Sequence, residues 1–168
     1  ANVGNMTSLT HFDLSVNNVQ GGLPSSIGRL CNLEYLDLSS NNLTGTLPEL
    51  LGGTESCVSG NALANLFCLE LGNNRLDGKI PEWLGNLKSL QTLGLAANML
   101  EGPIPSSLGT LKNLTNIGLA GNKLSGTLPE TFGLPSELSV LDVSFNQLTG
   151  ILTEAHFLKL NKLKILRL

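Results

Sequence analysis

The chain has few charged, aromatic and histidine residues. It contains two histidines, one tryptophan and one tyrosine, and 14% of its residues are charged, with a formal net charge of −3. Binding to a phosphate backbone needs clustered lysine and arginine, so the composition argues against a nucleic-acid partner. Four basic residues near the C-terminus are interpreted as the solvated edge of the last repeat: Lys159, Lys162, Lys164 and Arg167.

Long hydrophobic runs and metal-binding motifs are also missing from the sequence. No stretch of 18 apolar residues occurs and the first residues do not form a secretory signal, so we predict no membrane segment in this part of the protein. The three cysteines include no C-x-x-C pair, and their spacing does not match a zinc site. The glycines are periodic and form no phosphate-binding loop. We therefore expect neither a metal nor an organic cofactor.

The sequence also has little that would support catalysis. His11 and Asp13 share one face of a predicted strand, but no recognisable motif arranges a serine or cysteine nucleophile with them. The second histidine, His156, lies in the segment E-A-H-F of an irregular repeat. We predict that the protein is not an enzyme.

What the chain does contain is an internal repeat. Six asparagines lie in the same frame of apolar positions, L-x-x-L-x-L-x-x-N-x-L-x-G, at intervals of 24, 33, 24, 24 and 24 residues: Asn17, Asn41, Asn74, Asn98, Asn122 and Asn146. Self-similarity at this period is typical of a solenoid. Apolar residues spaced by two share one face of a strand, which predicts a core-facing side. The asparagine amides are expected to satisfy backbone groups of neighbouring coils, forming a ladder.

A second constant block follows each asparagine. It begins with Gly21, Gly45, Gly78, Gly102, Gly126 and Gly150, and in five of the six repeats it contains a proline: Pro24, Pro48, Pro81, Pro105 and Pro129. Glycine permits backbone angles closed to other residues, and proline fixes its own φ and lacks a donor. The block predicts a short extended segment and a sharp turn, so we expect the convex side to be formed by turns and not by long helices.

The motif G-x-L/I-P-x-x-L/I-G-x-L in a 24-residue repeat resembles the plant-specific subclass of extracellular leucine-rich repeats, over nearly the whole chain. The resemblance implies a curved, right-handed solenoid of the α/β class, mostly strand and turn, with a parallel β-sheet on its concave face. We interpret residues 1–168 as one domain with six full repeats, which start at 9, 33, 66, 90, 114 and 138, and a partial repeat at each end. We expect a piece of a longer solenoid; the alternative is that 1–8 and 156–168 act as caps.

The 33-residue interval places an insertion at 49–65, on the turn side of the coil. Such loops are frequent sites of function, but a longer loop is also tolerated at little entropic cost. Cys31 and Cys57 occur at nearly the same phase of successive repeats, which favours a disulfide bond between them. Cys68 is predicted on the exposed side of its strand, either as a free thiol or as a partner for a residue outside this chain.

Three N-x-S/T triplets are candidate glycosylation sites, at Asn5, Asn42 and Asn113. Each triplet alone is weak, since an asparagine-rich repeat produces such triplets by chance. Together with a disulfide, they favour an extracellular or cell-surface location.

The outward positions of the predicted strands define the surface that would meet a partner. Exposed aromatic side chains beside charges suit a protein or peptide contact, although aspartates in such strands also stabilise the turns of the repeat. A shallow strip of small residues follows, formed by Gly94, Ala96, Gly118 and Ala120. The candidate binding residues are His11, Asp13, Tyr35, Asp37, Phe67, Glu70, Gln91, Thr92, Asn116, Asp142 and Phe145.

The sixth repeat, in which Thr153 replaces the proline, resembles repeats of large plant leucine-rich receptor-like proteins, as does the cysteine-bearing insertion T-L-P-E-L-L-G-G-T-E-S-C. The resemblance implies a membrane-anchored parent that senses microbial proteins and signals through a partner receptor kinase. We predict a protein- or peptide-recognition module of a plant immune or developmental receptor. The alternatives are an inhibitor of microbial cell-wall hydrolases, resembling polygalacturonase inhibitors, and a structural spacer.

Overall fold

The computed structural model describes residues 2–48, 57, 62–135 and 137–168. The chain winds through stacked coils, and a typical coil contains a short strand, a lateral strand and a 3₁₀-helical turn. The described residues form thirteen strands: β1 His11–Asp13, β2 Gln20–Gly21, β3 Tyr35–Asp37, β4 Asn42–Thr46, β5 Cys68–Glu70, β6 Arg75–Asp77, β7 Thr92–Gly94, β8 Glu101–Gly102, β9 Asn116–Gly118, β10 Lys123–Gly126, β11 Val140–Asp142, β12 Gln147–Leu148 and β13 Ile165–Arg167.

Seven strands form one parallel sheet in the order β1-β3-β5-β7-β9-β11-β13. The register is the same throughout: Tyr35 pairs with His11 on one side and with Cys68 on the other. Parallel pairing follows from the coil, because each turn brings the chain back in the same direction. The predicted solenoid with one parallel sheet is confirmed.

The remaining strands form two lateral sheets, ordered β2-β4-β6 and β12-β10-β8. They follow the ladder asparagines, where the sequence predicts an extended segment. The glycines of the constant block have φ values between 72° and 102°, in the left-handed region that favours glycine. Glycine adopts this conformation without strain and other residues rarely do. This explains why glycine recurs at the same position of each repeat: Gly21, Gly45, Gly78, Gly102, Gly126 and Gly150.

The convex side consists of short turns, as expected. The described 3₁₀ turns are Val3–Asn5, Ser25–Arg29, Glu82–Asn86, Ser106–Thr110, Glu130–Gly133 and Glu154–Phe157. Four of them begin directly after a proline of the repeat: Pro24, Pro81, Pro105 and Pro129. The fixed φ of proline and its missing N–H suit the residue that precedes a helical turn. Nowhere in the described ranges is there a helix with the length and apolar character to cross a membrane.

The core is one continuous hydrophobic cluster along the stack, mostly aliphatic, which also contains Trp83 and Phe132. The middle residue of each inner strand is buried, and so is the residue two positions later, as the alternation predicts. Both rows are at most 5% exposed in the inner coils: Leu36, Leu69, Leu93, Ile117 and Leu141, then Leu38, Leu71, Leu95, Leu119 and Val143.

The asparagines form the predicted ladder between coils. In a central coil, the Asn98 side-chain nitrogen donates to the carbonyl of Leu71 in the preceding coil at 3.0 Å and to the carbonyl of Leu95 in its own coil at 3.2 Å. Its Oδ1 accepts from the Leu76 N–H at 2.9 Å. Asn98 is 9% exposed, and its Oδ1 therefore pairs a Leu76 N–H that burial would otherwise leave unsatisfied.

In the sixth coil, where Thr153 stands in place of the proline, a hydrogen-bonded cap formed with His156 begins the 3₁₀ turn. Thr153 has a free backbone N–H, which donates to Nδ1 of His156 at 3.0 Å. Nδ1 is then an acceptor, so Nε2 carries the proton and donates to the Leu128 carbonyl of the preceding coil, also at 3.0 Å. His156 is 4% exposed. This histidine is a buried structural residue that caps a turn and joins two coils.

Cys31 and Cys57 form the predicted disulfide, with their Cα atoms 5.5 Å apart. The bond attaches the insertion at 49–65 to the preceding coil and on the chain-entropy model stabilises the fold by about 3 kcal/mol. Residues 49–56 and 58–61 of that insertion lie outside the described residues. The prediction that Cys68 is exposed is wrong: its thiol is free but buried. The short side chain does point outward, but it lies between Tyr35 and Thr92 on the flanking strands.

Candidate functional site

The predicted binding residues lie on or beside the outward side of the seven-stranded sheet, which we call the concave face. In β1, β3, β5, β7, β9 and β11 the first and third residues point away from the core, because the middle residue packs into it. All predicted residues are at least partly accessible. His11, Asp13, Gln91, Asn116 and Phe145 are exposed, and Tyr35, Asp37, Phe67, Glu70, Thr92 and Asp142 are half-buried.

Three aromatic rings from the first three coils meet on this face, and we call them the aromatic cluster. The rings of His11 and Tyr35 stack, with centroids 5.8 Å apart and an interplanar angle of 20°. The ring of Phe67 contacts Tyr35 from the next coil at 6.3 Å, tilted by 55°. Offset and tilted contacts at these distances are favourable for aromatic pairs. The register of the strands therefore builds a continuous aromatic ridge across three coils.

A column of carboxylates runs beside the aromatic cluster. Asp13, Asp37 and Glu70 occupy the same position of successive strands, and we call them the acidic column. One oxygen of Asp13 accepts from the backbone N–H of Ser15 at 2.8 Å, and Asp37 accepts in the same way from Ser39 at 2.9 Å. Both aspartates therefore stabilise their turns, as one interpretation of the sequence predicts. The Tyr35 hydroxyl donates to the second oxygen of Asp37 at 3.2 Å, which joins the two groups.

The pKa values on this face reflect burial and negative charge. Burial and the nearby Asp37 raise the pKa of Glu70 above its usual range. Burial, followed by the charge and hydrogen bond of Asp37, raises the pKa of Tyr35 to about 12. Burial raises the pKa of the Cys68 thiol to about 11, with further contributions from Glu70 and Asp37. The thiol is therefore not activated as a nucleophile. In contrast, hydrogen bonds from Ser15 lower the pKa of Asp13.

The next strands carry small residues and leave an open groove of about 340 Å³. Gly94 and Gly118 form part of its floor, in register with Glu70. The carboxylate of Glu70 lies over Gly94, where an added Cβ would overlap Oε2. The groove is lined by Ser39, Glu70, Gly72, Asn73, Thr92, Leu93, Gly94, Ala96, Asn116, Ile117, Gly118, Val140 and Asp142.

Two predicted binding residues belong neither to the aromatic cluster, nor to the acidic column, nor to the groove. Gln91 occupies the same position as Phe67 on the next coil, and its backbone N–H donates to the Phe67 carbonyl at 2.8 Å. Phe145 is 86% exposed and lines a separate hollow together with Ile151 and Leu168. The structure thus divides the predicted set into an aromatic and acidic part, a groove, and two separate positions.

Family models match most of the chain. A model described as "Leucine Rich repeats (2 copies)" matches residues 7–52, and one described as "Leucine Rich Repeat" matches 65–87, 89–111 and 113–134. The chain belongs to the leucine-rich repeat family. No significant match was found among curated protein sequences.

Solved leucine-rich repeat ectodomains from plants superpose well on this chain. The ectodomain of the receptor kinase GASSHO1/SCHENGEN3 from Arabidopsis thaliana, in complex with CASPARIAN STRIP INTEGRITY FACTOR 2, is 37% identical with a TM-score of 0.90; the match covers 99% of this chain and 19% of that one. The Arabidopsis receptor kinase HAESA, in complex with the peptide hormone IDA and the co-receptor SERK1, is 32% identical with a TM-score of 0.79, over 88% and 23%.

A shorter relative is matched over most of its length. The BIR2 ectodomain from Arabidopsis thaliana is 35% identical with a TM-score of 0.67, and the match covers 82% of this chain and 68% of that one. The chain therefore spans about a fifth of GASSHO1/SCHENGEN3 and two thirds of BIR2. Its coils have the fold of plant leucine-rich repeat ectodomains.

The three candidate glycosylation sites occupy different environments in the leucine-rich repeat stack. Asn5 and Asn113 are exposed and Asn42 is half-buried. The side-chain nitrogen of Asn113 donates to the carbonyl of Lys88 in the preceding coil at 2.9 Å, and an attached glycan would have to share that nitrogen. Glycosylation stays a prediction for all three sites.

Sequence reasoning missed a second ladder in the leucine-rich repeats. Asn32, Asn65, Ser89 and Asn113 precede the first leucine of successive repeats, and each donates to a backbone carbonyl of the preceding coil. Their shared phase was readable in the sequence. A conformational feature of the repeat was also missed. The residue before each of the six ladder asparagines has a positive φ: Val16, Ser40, Asn73, Ala97, Gly121 and Phe145. Gly121 and Asn73 signal this by residue type, because glycine and asparagine are the types enriched at positive φ.

Proposed function

We propose that this chain is an extracellular recognition module of a plant cell-surface receptor, and that it binds an extended peptide along its concave face. The observation that carries the proposal is the open groove beside the aromatic cluster, on a fold whose relatives include the receptor kinase HAESA in complex with a peptide hormone. Tyrosine and phenylalanine supply contact area at a low entropic cost, and small residues allow a ligand backbone to approach the sheet closely.

The receptor context extends the proposal to the whole protein. We propose that the parent signals through a co-receptor kinase, since HAESA was crystallised together with the co-receptor SERK1. Immune perception stays a prediction, as does a parent without its own kinase domain. An extracellular location is supported by the ectodomain relatives and by the Cys31–Cys57 disulfide, because such bonds persist in oxidising compartments.

A peptide-display library tests whether the groove binds peptides. Gly118→Phe fills the groove at a residue whose added Cβ meets nothing closer than 4.0 Å, so the fold should tolerate it. Ser106→Phe introduces the same ring on an exposed convex turn. We expect enriched peptides to bind the unmodified chain and Ser106→Phe equally and to lose at least about tenfold in affinity for Gly118→Phe. A library without enriched peptides, or equal binding to both variants, would refute the proposal.

A further inference from the structure

The acidic column has no cationic partner in the described part of the protein. The ion pairs there are Lys162 with Glu137 and Arg167 with Asp142, and both belong to the last coils. In the seven-stranded sheet, the outward positions of the first six strands (β1, β3, β5, β7, β9 and β11) contain no lysine or arginine. Negative charge has thus accumulated over the first three coils, whereas the acid that continues the column at Asp142 is already paired, at 3.1 Å.

The side chains around the acidic column determine which kind of cation could bind there. Within the described ranges, no group of three or more His, Cys, Asp or Glu side chains is placed to hold a metal ion, and an organic cation is therefore the better match. The Tyr35 hydroxyl donates to Asp37 of the acidic column, and the Phe67 ring contacts Tyr35 from the next coil, so a cation bound at these carboxylates would lie beside aromatic rings. Cations are attracted to aromatic faces as well as to carboxylates.

Glu70 connects this region to the groove. Its carboxylate lies over Gly94 at one end of the groove, and no hydrogen bond to it occurs among the described residues. Burial and Asp37 raise its pKa, which is the expected state of a carboxylate that lacks a compensating positive charge. A ligand whose backbone crosses Gly94 and Gly118 would pass directly beside this oxygen.

We propose that the peptide bound along the concave face carries an arginine or lysine, whose cationic group contacts the carboxylates of Glu70 and Asp37 and packs against the ring of Tyr35. The inference rests on the proposed function, and it specifies the ligand as a basic peptide. Glu70 and Asp37 supply the charge, Tyr35 the apolar contact, and the glycine floor the room for the backbone.

The test uses two amidated synthetic peptides, Gly-Ser-Gly-Arg-Gly-Ser-Gly and the same sequence with citrulline, the neutral analogue of arginine. Tyr35 is the single tyrosine, so ¹³C-tyrosine labelling of the full chain places one NMR signal inside the proposed site. We expect a saturable shift of that signal with the arginine peptide, and an affinity for the citrulline peptide lower by about tenfold or more. Glu70→Gln should weaken binding of the arginine peptide by a similar factor.

The matched control is Glu101→Gln, the same chemical change on exposed lateral strand β8, which should leave binding unchanged. The inference is overturned by equal affinities for the two peptides, by unaltered binding in Glu70→Gln, or by an absent Tyr35 response to the arginine peptide. None of these outcomes contradicts the proposed function if peptides from the library still bind more weakly to Gly118→Phe than to Ser106→Phe. If the library yields no groove-dependent peptide, the proposed function fails whatever the two synthetic peptides do.

Discussion

The buried side of the seven-stranded sheet repeats the same aliphatic residues from coil to coil, whereas on its outward side no two neighbouring strands carry the same pair of residues. Leu69 and Leu93 are equivalent and interchangeable in kind, but Glu70 and Gly94 beside them differ in size and charge. In a solenoid each coil packs only against its neighbours, so the inner residues must match between coils. The outward residues have no such constraint and are free to specify a ligand.

The largest expected effect is the loss of a ladder asparagine from the middle of the stack. Asn98→Ala would leave the buried Leu76 N–H unpaired and would remove one of the two amide bonds to the Leu71 carbonyl, which Asn74 also contacts at 3.1 Å. We expect the free energy of unfolding to fall by about 3 kcal/mol. The Asn17 side chain is exposed, and its amide donates only to carbonyls of its own turn, so Asn17→Ala should cost less than about 0.5 kcal/mol. Urea denaturation followed by circular dichroism measures both. Equal losses would show that stacking, and not the amide, holds the coils together.

The two histidines extend the same comparison to a single residue type. His156→Ala removes the bonds to the Thr153 N–H and the Leu128 carbonyl in a buried site, and we expect a loss of about 2 kcal/mol in unfolding free energy. His11→Ala affects an exposed ring on the concave face and should change stability by less than about 0.5 kcal/mol. Thermal unfolding of both variants checks the difference, and a larger loss for His11→Ala would contradict the assignment.

The buried side could be predicted almost completely from the sequence. The spacing of the asparagines sets the phase, and alternation along a strand then gives the core-facing leucines, the outward residues and the register between coils. The same argument favoured the disulfide, because Cys31 and Cys57 have nearly the same phase in successive repeats. These features depend on position in the coil alone, and position is periodic.

The outward side was predictable in position but not in environment. The burial of Cys68 depends on its neighbours across the sheet, Tyr35 and Thr92, which are far away in the sequence. The carboxylate of Glu70 lies over Gly94 because of its side-chain conformation, which no periodicity specifies. His156 replaces a proline function through bonds in three dimensions, although the three-residue spacing from Thr153 matches a capping box and was readable.

The single tyrosine reports the electrostatics of the outward side without perturbing the buried side. Ultraviolet titration should give Tyr35 a pKa of about 12, against an ordinary value of 10.0, since burial and Asp37 oppose the phenolate. A raised pKa in the folded state means that this stabilising contribution is complete below pH 10 and is lost between about pH 10 and 12. Asp37→Asn should lower the pKa of Tyr35 part of the way, because burial remains. A titration with the ordinary value would show that Tyr35 is fully solvated.

The smallest effects separate the two glycines of the groove floor. Alanine is favoured over glycine in a strand by about 0.5 kcal/mol, and Gly118→Ala should gain this amount because its Cβ would meet nothing closer than 4.0 Å. Gly94→Ala should gain less, since the new Cβ would displace the Glu70 carboxylate. Glu70→Ala removes the overlap, so in that background Gly94→Ala should gain as much stability as Gly118→Ala does. A double-mutant cycle of chemical denaturation can resolve this change. If the two glycines respond alike, Glu70 does not occupy the floor of the groove.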